Sequence, residues 1–259
     1  MTKARSMKTG YYSSTGNSLY IAKRIGARLS AKVFCILNFQ GEVNQFQKII
    51  IVSPVYSFGL PKHVYDFFIS LPKTTAVHVV LNYGGMLGGA DYYTYQLAKT
   101  HNINIRSIYA VKMPENFTLT FSSPRFFNRI ILKSAEKKIN RIIDNIKNDR
   151  EFLPPKKKTH ETTYEKNKAN WHLIAADFSV NSNCNKCRKC VRVCPAENIT
   201  VKDDNIIFLD KCVACLGCYH RCPQKAIVYK NRRKKYRYMN PNISESELGK
   251  DISFNRQAR

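Results

Sequence analysis

Residues 184–195 read CNKCRKCVRVCP, and residues 212–223 read CVACLGCYHRCP. Both follow C-x2-C-x2-C-x3-C-P, and every element of the second lies 28 residues after the first. Eight of the nine cysteines sit in these two copies. Cysteines grouped this way bind metal in a reducing compartment; they do not pair as disulfides. The repeat extends past the cysteines: Pro195 matches Pro223, and Ile199 matches Ile227. Between the copies, NITVKDDNIIFLD (198–210) reads as a short hairpin with an Asp-Asp turn.

Thiolates supply charge and softness to iron. The C-x2-C-x2-C loop wraps three sulfurs around one cubane cluster and leaves backbone amides pointing at them. The fourth cysteine, before Pro, serves the other cluster in the bacterial two-cluster pattern. On that crossing rule the first 4Fe-4S cluster takes Cys184, Cys187, Cys190 and Cys222. The second takes Cys212, Cys215, Cys218 and Cys194. Structural zinc is the rival, but a third cysteine at this spacing has no tetrahedral use. Cys35 stands alone in a predicted strand and reads as a buried, inert thiol.

Residues 1–150 alternate short β-branched runs with amphipathic segments. Val33–Leu37, Lys48–Val52, Val77–Asn82 and Ile105–Val111 read as strands buried on both faces, with a weakly apolar first strand at Met7–Tyr12. Ser18–Leu29 places Leu19, Ala22, Ile25 and Leu29 on one helical face. Residues 91–100 form another helix. Pro124–Lys147 carries a stripe from Phe127 through Ile130, Ile131, Ala135, Ile139, Ile142 and Ile143 to Ile146. Ser123 is its expected cap, with Pro124 first in the helix. The pattern predicts a doubly wound parallel α/β sheet. Only residues 38–47 separate the second and third strands, so a reduced connection is expected there. The division expected is a sheet domain over 1–150, a solvated linker over 151–169, a small α+β cluster domain over 170–230, and a basic then polar tail over 231–259.

Three loops would share the carboxyl rim of the sheet, where open α/β sheets bind ligands. Ser13, Ser14, Thr15, Gly16, Asn17 and Ser18 offer hydroxyls, amides and a helix start to a phosphate. Pro54, Val55, Tyr56 and Ser57 follow the third strand; Asn82, Tyr83, Gly84 and Gly85 follow the fourth. Tyr56 and Tyr83 would flank a flat ring, and the glycines admit close backbone approach. No G-x-G-x-x-G follows a strand, so a nicotinamide site has no support.

The phosphate loop resembles that of flavodoxins. Pro54-Val55-Tyr56 with Gly59-Leu60-Pro61, and Gly84-Gly85 with Gly88-Gly89, resemble their two ring-binding loops. The whole chain is similar to flavodoxin–ferredoxin fusion proteins, a family of iron–sulfur flavoproteins, and Arg237-Tyr238…Pro241 fits as well. The resemblance implies FMN beside two 4Fe-4S clusters: a flavodoxin-like sheet followed by a small two-cluster ferredoxin domain.

The chain carries 43 Lys plus Arg against 18 Asp plus Glu, a net charge of +25. The excess is spread over both halves, so it belongs to no single tail. Lys186, Arg188, Lys189, Arg192 and Arg221 lie inside the cysteine loops, where they would raise cluster potentials or dock an acidic redox partner. His220 reads as a surface residue. No apolar run approaches a membrane span, and MTKARSMKTGYY lacks a signal core, which predicts a cytoplasmic protein. Three functions compete. An electron carrier would convert between flavin pairs and single cluster electrons. A ferredoxin-linked flavoenzyme would reduce a small molecule. A nucleic-acid binder would use the run Arg232–Arg237, with structural clusters.

Overall fold

The computed structural model describes residues 7–119, 124–230 and 236–248. The basic run at 232–235, the expected cap Ser123 and the ends of the chain lie outside them.

The core is a parallel sheet of β1 (Met7–Tyr11), β2 (Lys32–Cys35), β3 (Lys48–Pro54), β4 (Ala76–Tyr83) and β5 (Ile105–Lys112). Their order is β2-β1-β3-β4-β5, the flavodoxin-like winding with its switch point between β1 and β3. The β-branched run Ile49–Val52 fills the centre of β3 and is wholly buried, as a strand covered on both faces requires. Helices α1 (Asn17–Leu29), α2 (Lys62–Ile69), α3 (Ala90–Thr100) and α4 (Arg125–Lys147) complete the layers.

The weak apolarity of β1 has a packing cause. A Cβ at Gly10 would lie 2.9 Å from the Phe34 ring, so this central strand leaves room for a neighbour's aromatic. The β2–β3 connection is reduced, as its length predicts, to two 3-10 turns at Ile36–Asn38 and Val43–Gln45. Phe39 and Phe46 pack there against Phe34 and Phe67 in place of a helix.

Helix α4 differs from the expected stripe. Ala135, Ile139, Ile142, Ile143 and Ile146 are buried in the core with the sheet, but Phe126, Phe127 and Ile130 are exposed. A 23-residue helix is about 34 Å long, whereas an eight-residue strand spans about 26 Å. The first turns overhang the sheet. Pro124 is the cap of this helix instead of its first residue.

The stretch 151–169 is not a solvated linker. Phe152 bridges in parallel to Ser107 and lies along the β5 edge, which covers a sheet margin. Lys157 pairs with Asp91 at 2.7 Å. Residues Glu161–Asn170 then form α5, and its Tyr164 is 0% exposed. The Tyr164 hydroxyl donates to the Leu60 carbonyl (2.7 Å). Its ring fills the space at Gly59, where a Cβ would come within 2.4 Å of it.

The small C-terminal unit contains β6 (Phe178–Val180), α6 (Lys189–Arg192), β7 (Ile199–Lys202), β8 (Asn205–Phe208), α7 (Gly217–Arg221) and β9 (Ile227–Tyr229). β6 pairs with β9, and β7 with β8. Asp203 and Asp204 both have positive φ, so the expected Asp-Asp hairpin turn is present. The two halves repeat in backbone conformation as well. Lys186, Arg188 and Glu197 are left-handed, and so are Ala214, Leu216 and Lys225, each 28 residues on.

The expectation of a surface tail fails for 236–248. Ile243 and Leu248 are buried in the core between α1 and α4, and the Asn240 amide donates to the Thr15 carbonyl (2.8 Å). This segment is a strap across the beginning of α1.

His78, on β4, gives the sheet a pH dependence. Its side chain is buried, with Nδ1 2.7 Å from Ser107 Oγ and Nε2 without a hydrogen-bond partner. Burial pushes its pKa down to about 4; Lys48 and Arg106 push the same way, and Asp149 opposes. The unfolded chain therefore binds a proton that the folded chain refuses between about pH 6.5 and pH 4. That stability is complete above pH 6.5 and is lost as pH falls. At pH 5 the His78 share of the loss is about 2 kcal/mol. Urea midpoints at pH 7 and pH 5 are expected to lie closer together in His78→Asn than in the parent protein.

Candidate functional site

The eight motif cysteines separate into two small cavities. One is lined by Cys184, Cys187, Cys190 and Cys222; the other by Cys194, Cys212, Cys215 and Cys218. The fourth cysteine of each motif lines the same cavity as the other motif's three. Backbone amides address the sulfurs: Asn198 N–H to Cys194 (3.2 Å), Ala214 N–H to Cys212 (3.4 Å), Gly217 N–H to Cys215 (3.5 Å) and Ala226 N–H to Cys222 (3.2 Å). The left-handed residues inside the loops turn these amides inward. Ile206 and Ile227 line the first cavity, and Phe178, Ile199 and Phe208 the second.

The two sites differ in exposure. Cys187 is exposed, while its repeat partner Cys215 is buried. Burial raises the Cys190 thiol to about 11 and the Cys215 thiol to about 12. Iron has to displace those protons on binding. Cys35 is buried apart from both sites, and burial pushes its thiol up to about 11, consistent with an inert role.

The sheet rim holds a third, larger cavity of about 880 Å3, within the range of cofactor sites. Asn17 and all eight predicted ring-loop residues, Pro54, Val55, Tyr56, Ser57, Asn82, Tyr83, Gly84 and Gly85, line it. Ser13, Ser14, Thr15, Gly16 and Ser18 do not. They lie buried in the turn into α1. Gly16 has φ +97°, and a Cβ there would be 3.0 Å from Asn240 of the strap. Ser18 accepts from Asn82 Nδ2 (2.8 Å), and Thr15 from Asn116 Nδ2 (3.1 Å). Asn17 Oδ1 accepts from Tyr238 (2.7 Å) and Asn240 (3.0 Å).

Sequence reasoning missed three walls of this cavity. One is the loop after β5, where Glu115 accepts from the Gly85 and Phe117 amides (2.9 and 2.7 Å). The second is α5 and the turn after it, with Asn167, Asn170, Trp171 and Ile174. Trp171, the sole tryptophan, packs edge-on against Tyr56 at 6.1 Å between centroids. The third is the cluster loop Ala214–Leu216 itself. Cys215 thus borders both the second four-cysteine site and the rim cavity.

Two expectations need correction. His220 is not a surface residue: it is 5% exposed. Its Nδ1 accepts from the Tyr238 amide (3.2 Å), so Nε2 carries the proton toward the Asn116 carbonyl (2.7 Å). Both nitrogens are occupied, and burial lowers its pKa to about 4. Arg221 cannot dock a partner, because its side chain is buried against Glu245 of the strap (2.7 Å). Lys189 shares that carboxylate at 2.9 Å. Lys186, Arg188 and Arg192 remain exposed beside Cys187.

Residues 183–227 match the family model described as a 4Fe-4S dicluster domain. No curated protein matches the chain. Among solved structures, the chain is similar to a Fusobacterium nucleatum flavodoxin bound to flavin mononucleotide (16% identity, 56% of this chain and 99% of that one, TM-score 0.40). It is also similar to the two-electron reduced Megasphaera elsdenii flavodoxin (19%, 40% and 85%, TM-score 0.36) and to a flavodoxin from the domain Archaea (14%, 55% and 99%, TM-score 0.39). Two four-cysteine sites within a matching 4Fe-4S dicluster domain define an iron–sulfur protein. More particularly, the chain is a fusion of a flavodoxin-like domain with a 4Fe-4S dicluster domain. Among the described residues no helix is long and apolar enough to cross a membrane.

Proposed function

We propose that the chain is an electron-transfer protein that couples FMN, held on the sheet rim, to two 4Fe-4S clusters held by the eight motif cysteines. The observation that carries this reading is the shared wall: the loop with Cys215 lines the rim cavity, while the first four-cysteine site reaches the surface at Cys187. Bound there, FMN supplies two-electron chemistry and each cluster one-electron chemistry.

The ring loops fit the flavin, but the turn into α1 stands apart from the cavity: Ser13, Ser14, Thr15 and Ser18 are buried against Gly16, Tyr56, Asn116 and Asn82, and of this turn Asn17 alone lines the cavity. Pro54–Ser57 and Asn82–Gly85 supply the ring site, with Tyr56, Tyr83 and Trp171 as aromatic walls. In this reading residues 1–150 are the flavin unit, 151–169 closes its rim, 170–230 is the cluster unit, and the strap within 231–259 ties the two together. The exposed cations Lys186, Arg188 and Arg192 beside Cys187 suit an acidic one-electron carrier. The clustered thiols suit a reducing compartment such as the cytoplasm.

One observation favours a second reading. Asn167, Asn170 and Ile174 extend the cavity beyond the ring loops, which gives room for a reducible small molecule beside the flavin.

Anaerobic purification tests the proposal. About eight irons with matching sulfide, and one FMN released by acid, are expected per chain. Eight irons without flavin, even after incubation with FMN, would overturn the flavin part. Turnover of a small reducible substrate would move the assignment to the second reading.

A further inference from the structure

The 28-residue repeat braces its two fourth cysteines alike, with one exception. In each half a backbone amide addresses the sulfur: Asn198 N–H to Cys194 and Ala226 N–H to Cys222, both at 3.2 Å. Each of these residues follows a left-handed one, Glu197 or Lys225. Each also accepts on its carbonyl, Asn198 from the Leu209 amide (2.8 Å) and Ala226 from the Asn181 amide (3.0 Å). Leu209 and Asn181 are themselves 28 residues apart. The side chains break the symmetry. Asn198 Oδ1 accepts from the Lys211 amide, just after β8, and ties down its own turn. Ala226 has no side chain that could do the same.

Arg237, at the beginning of the strap, reaches this turn instead. Its Nη2 donates to the carbonyls of Lys225 (3.0 Å) and Ile227, the residues on either side of Ala226. Its guanidinium lies over the Tyr219 ring, 3.7 Å from the centroid. A planar group stacked on a ring and clamped to two carbonyls has little freedom left. Its Nε and Nη1 are buried without a hydrogen-bond partner among the described residues. We propose that Arg237 takes the place of the brace that Asn198 gives the second site: it holds the 225–227 turn, keeps the Ala226 amide on the Cys222 sulfur, and thereby raises the potential of the first cluster. The inference rests on the functional reading above, since it requires iron at Cys222. An amide held on a ligand sulfur and a fixed positive charge nearby both favour the more negative, reduced cluster. Arg237 is a positioning residue; it ligates nothing and acts through Ala226.

Arg237→Met tests it in the full-length, cluster-loaded chain. The substitution keeps an apolar stem against Tyr219 and removes the donors and the charge. Both clusters are followed by anaerobic redox titration with electron paramagnetic resonance. Cys194→Ser, alone and combined with Arg237→Met, identifies the first cluster's signal. The first cluster is expected to become harder to reduce. At a fixed ambient potential its reduced-to-oxidised ratio falls about tenfold, about 59 mV for a one-electron couple. The second cluster keeps its potential. Hydrogen exchange rises at the Ala226 amide and stays unchanged at Asn198. Arg237→Lys keeps the charge and replaces the fork with a point donor, so it gives the same shift at smaller size and serves if Arg237→Met does not load. An unchanged first cluster overturns the assignment, and so does an equal shift of both clusters. Iron content separates this failure from the larger one. Eight irons with no shift defeats the Arg237 assignment alone, whereas a parent chain that binds no first cluster defeats the functional reading with it.

Discussion

Cys222→Ser is expected to remove the first cluster and spare the second, although Cys222 belongs to the second motif. Its sulfur lines the cavity of Cys184, Cys187 and Cys190, on the far side of the pseudo-repeat from its own loop. A hydroxyl is a hard, weakly acidic ligand and a poor substitute for thiolate on iron. The expected iron content drops from about eight to about four per chain, and the signal that disappears belongs to the solvent-exposed site. Cys194→Ser is the mirror experiment and is expected to cost the second cluster. Loss of the second cluster's signal in Cys222→Ser, with the first intact, would refute the crossed assignment. So would a chain that keeps all its iron.

The second large effect lies in a stretch that reads as a linker. Tyr164→Ala removes a wholly buried ring packed against Gly59, Tyr93 and Trp171, and leaves the Leu60 carbonyl without its phenolic donor. Large-to-small aromatic changes of this kind cost about 3–5 kcal/mol. Here the loss falls on the docking of α5, whose remaining face is polar and exposed. Asn167, Asn170 and Trp171 would leave the rim cavity with it. Hydrogen exchange is expected to rise through 161–177 and to change little in β3 and β4. FMN affinity is expected to fall at least tenfold. Tyr164→Phe keeps the ring and should retain most of both. Unchanged exchange and flavin binding in Tyr164→Ala would show that α5 does not wall the cavity.

Legibility followed the kind of interaction each residue makes. The cysteine frame was complete in the sequence, because metal ligation needs a fixed residue type at fixed spacing. Strands β3, β4 and β5 were legible as short, mainly apolar runs rich in β-branched residues, which burial on both faces favours. Strand β1 was faint because Gly10 yields space to Phe34 and Thr9 is buried in place of an apolar residue. The left-handed turns at Lys186, Arg188, Ala214 and Leu216 left no trace, since none is glycine. The strap and α5 were misread for a common reason. Their sequences are polar, and each is held by a few specific contacts with distant residues. Tyr238 and Asn240 reach Asn17, more than 220 positions away, and α5 is held through buried Tyr164, with Glu165 accepting from Tyr93. His220 looked like a surface residue because its burial depends on the Asn116 carbonyl and the Tyr238 amide, two long-range partners. The ring loops were legible as glycine-rich segments after strands. The contribution of Ala214–Leu216 to the same cavity was not, because it depends on how the cluster domain sits on the sheet.

The central claim is that the flavin and the external carrier communicate through the clusters. The most direct measurement is rapid anaerobic mixing of the FMN-loaded protein with a reduced, acidic ferredoxin-class carrier, following flavin absorbance in the parent and in Cys222→Ser. The account predicts fast flavin bleaching in the parent and at least a hundredfold slower bleaching when the first cluster is missing, with FMN still bound. Equal rates in the two proteins would mean that electrons reach the flavin without the clusters, and would contradict it.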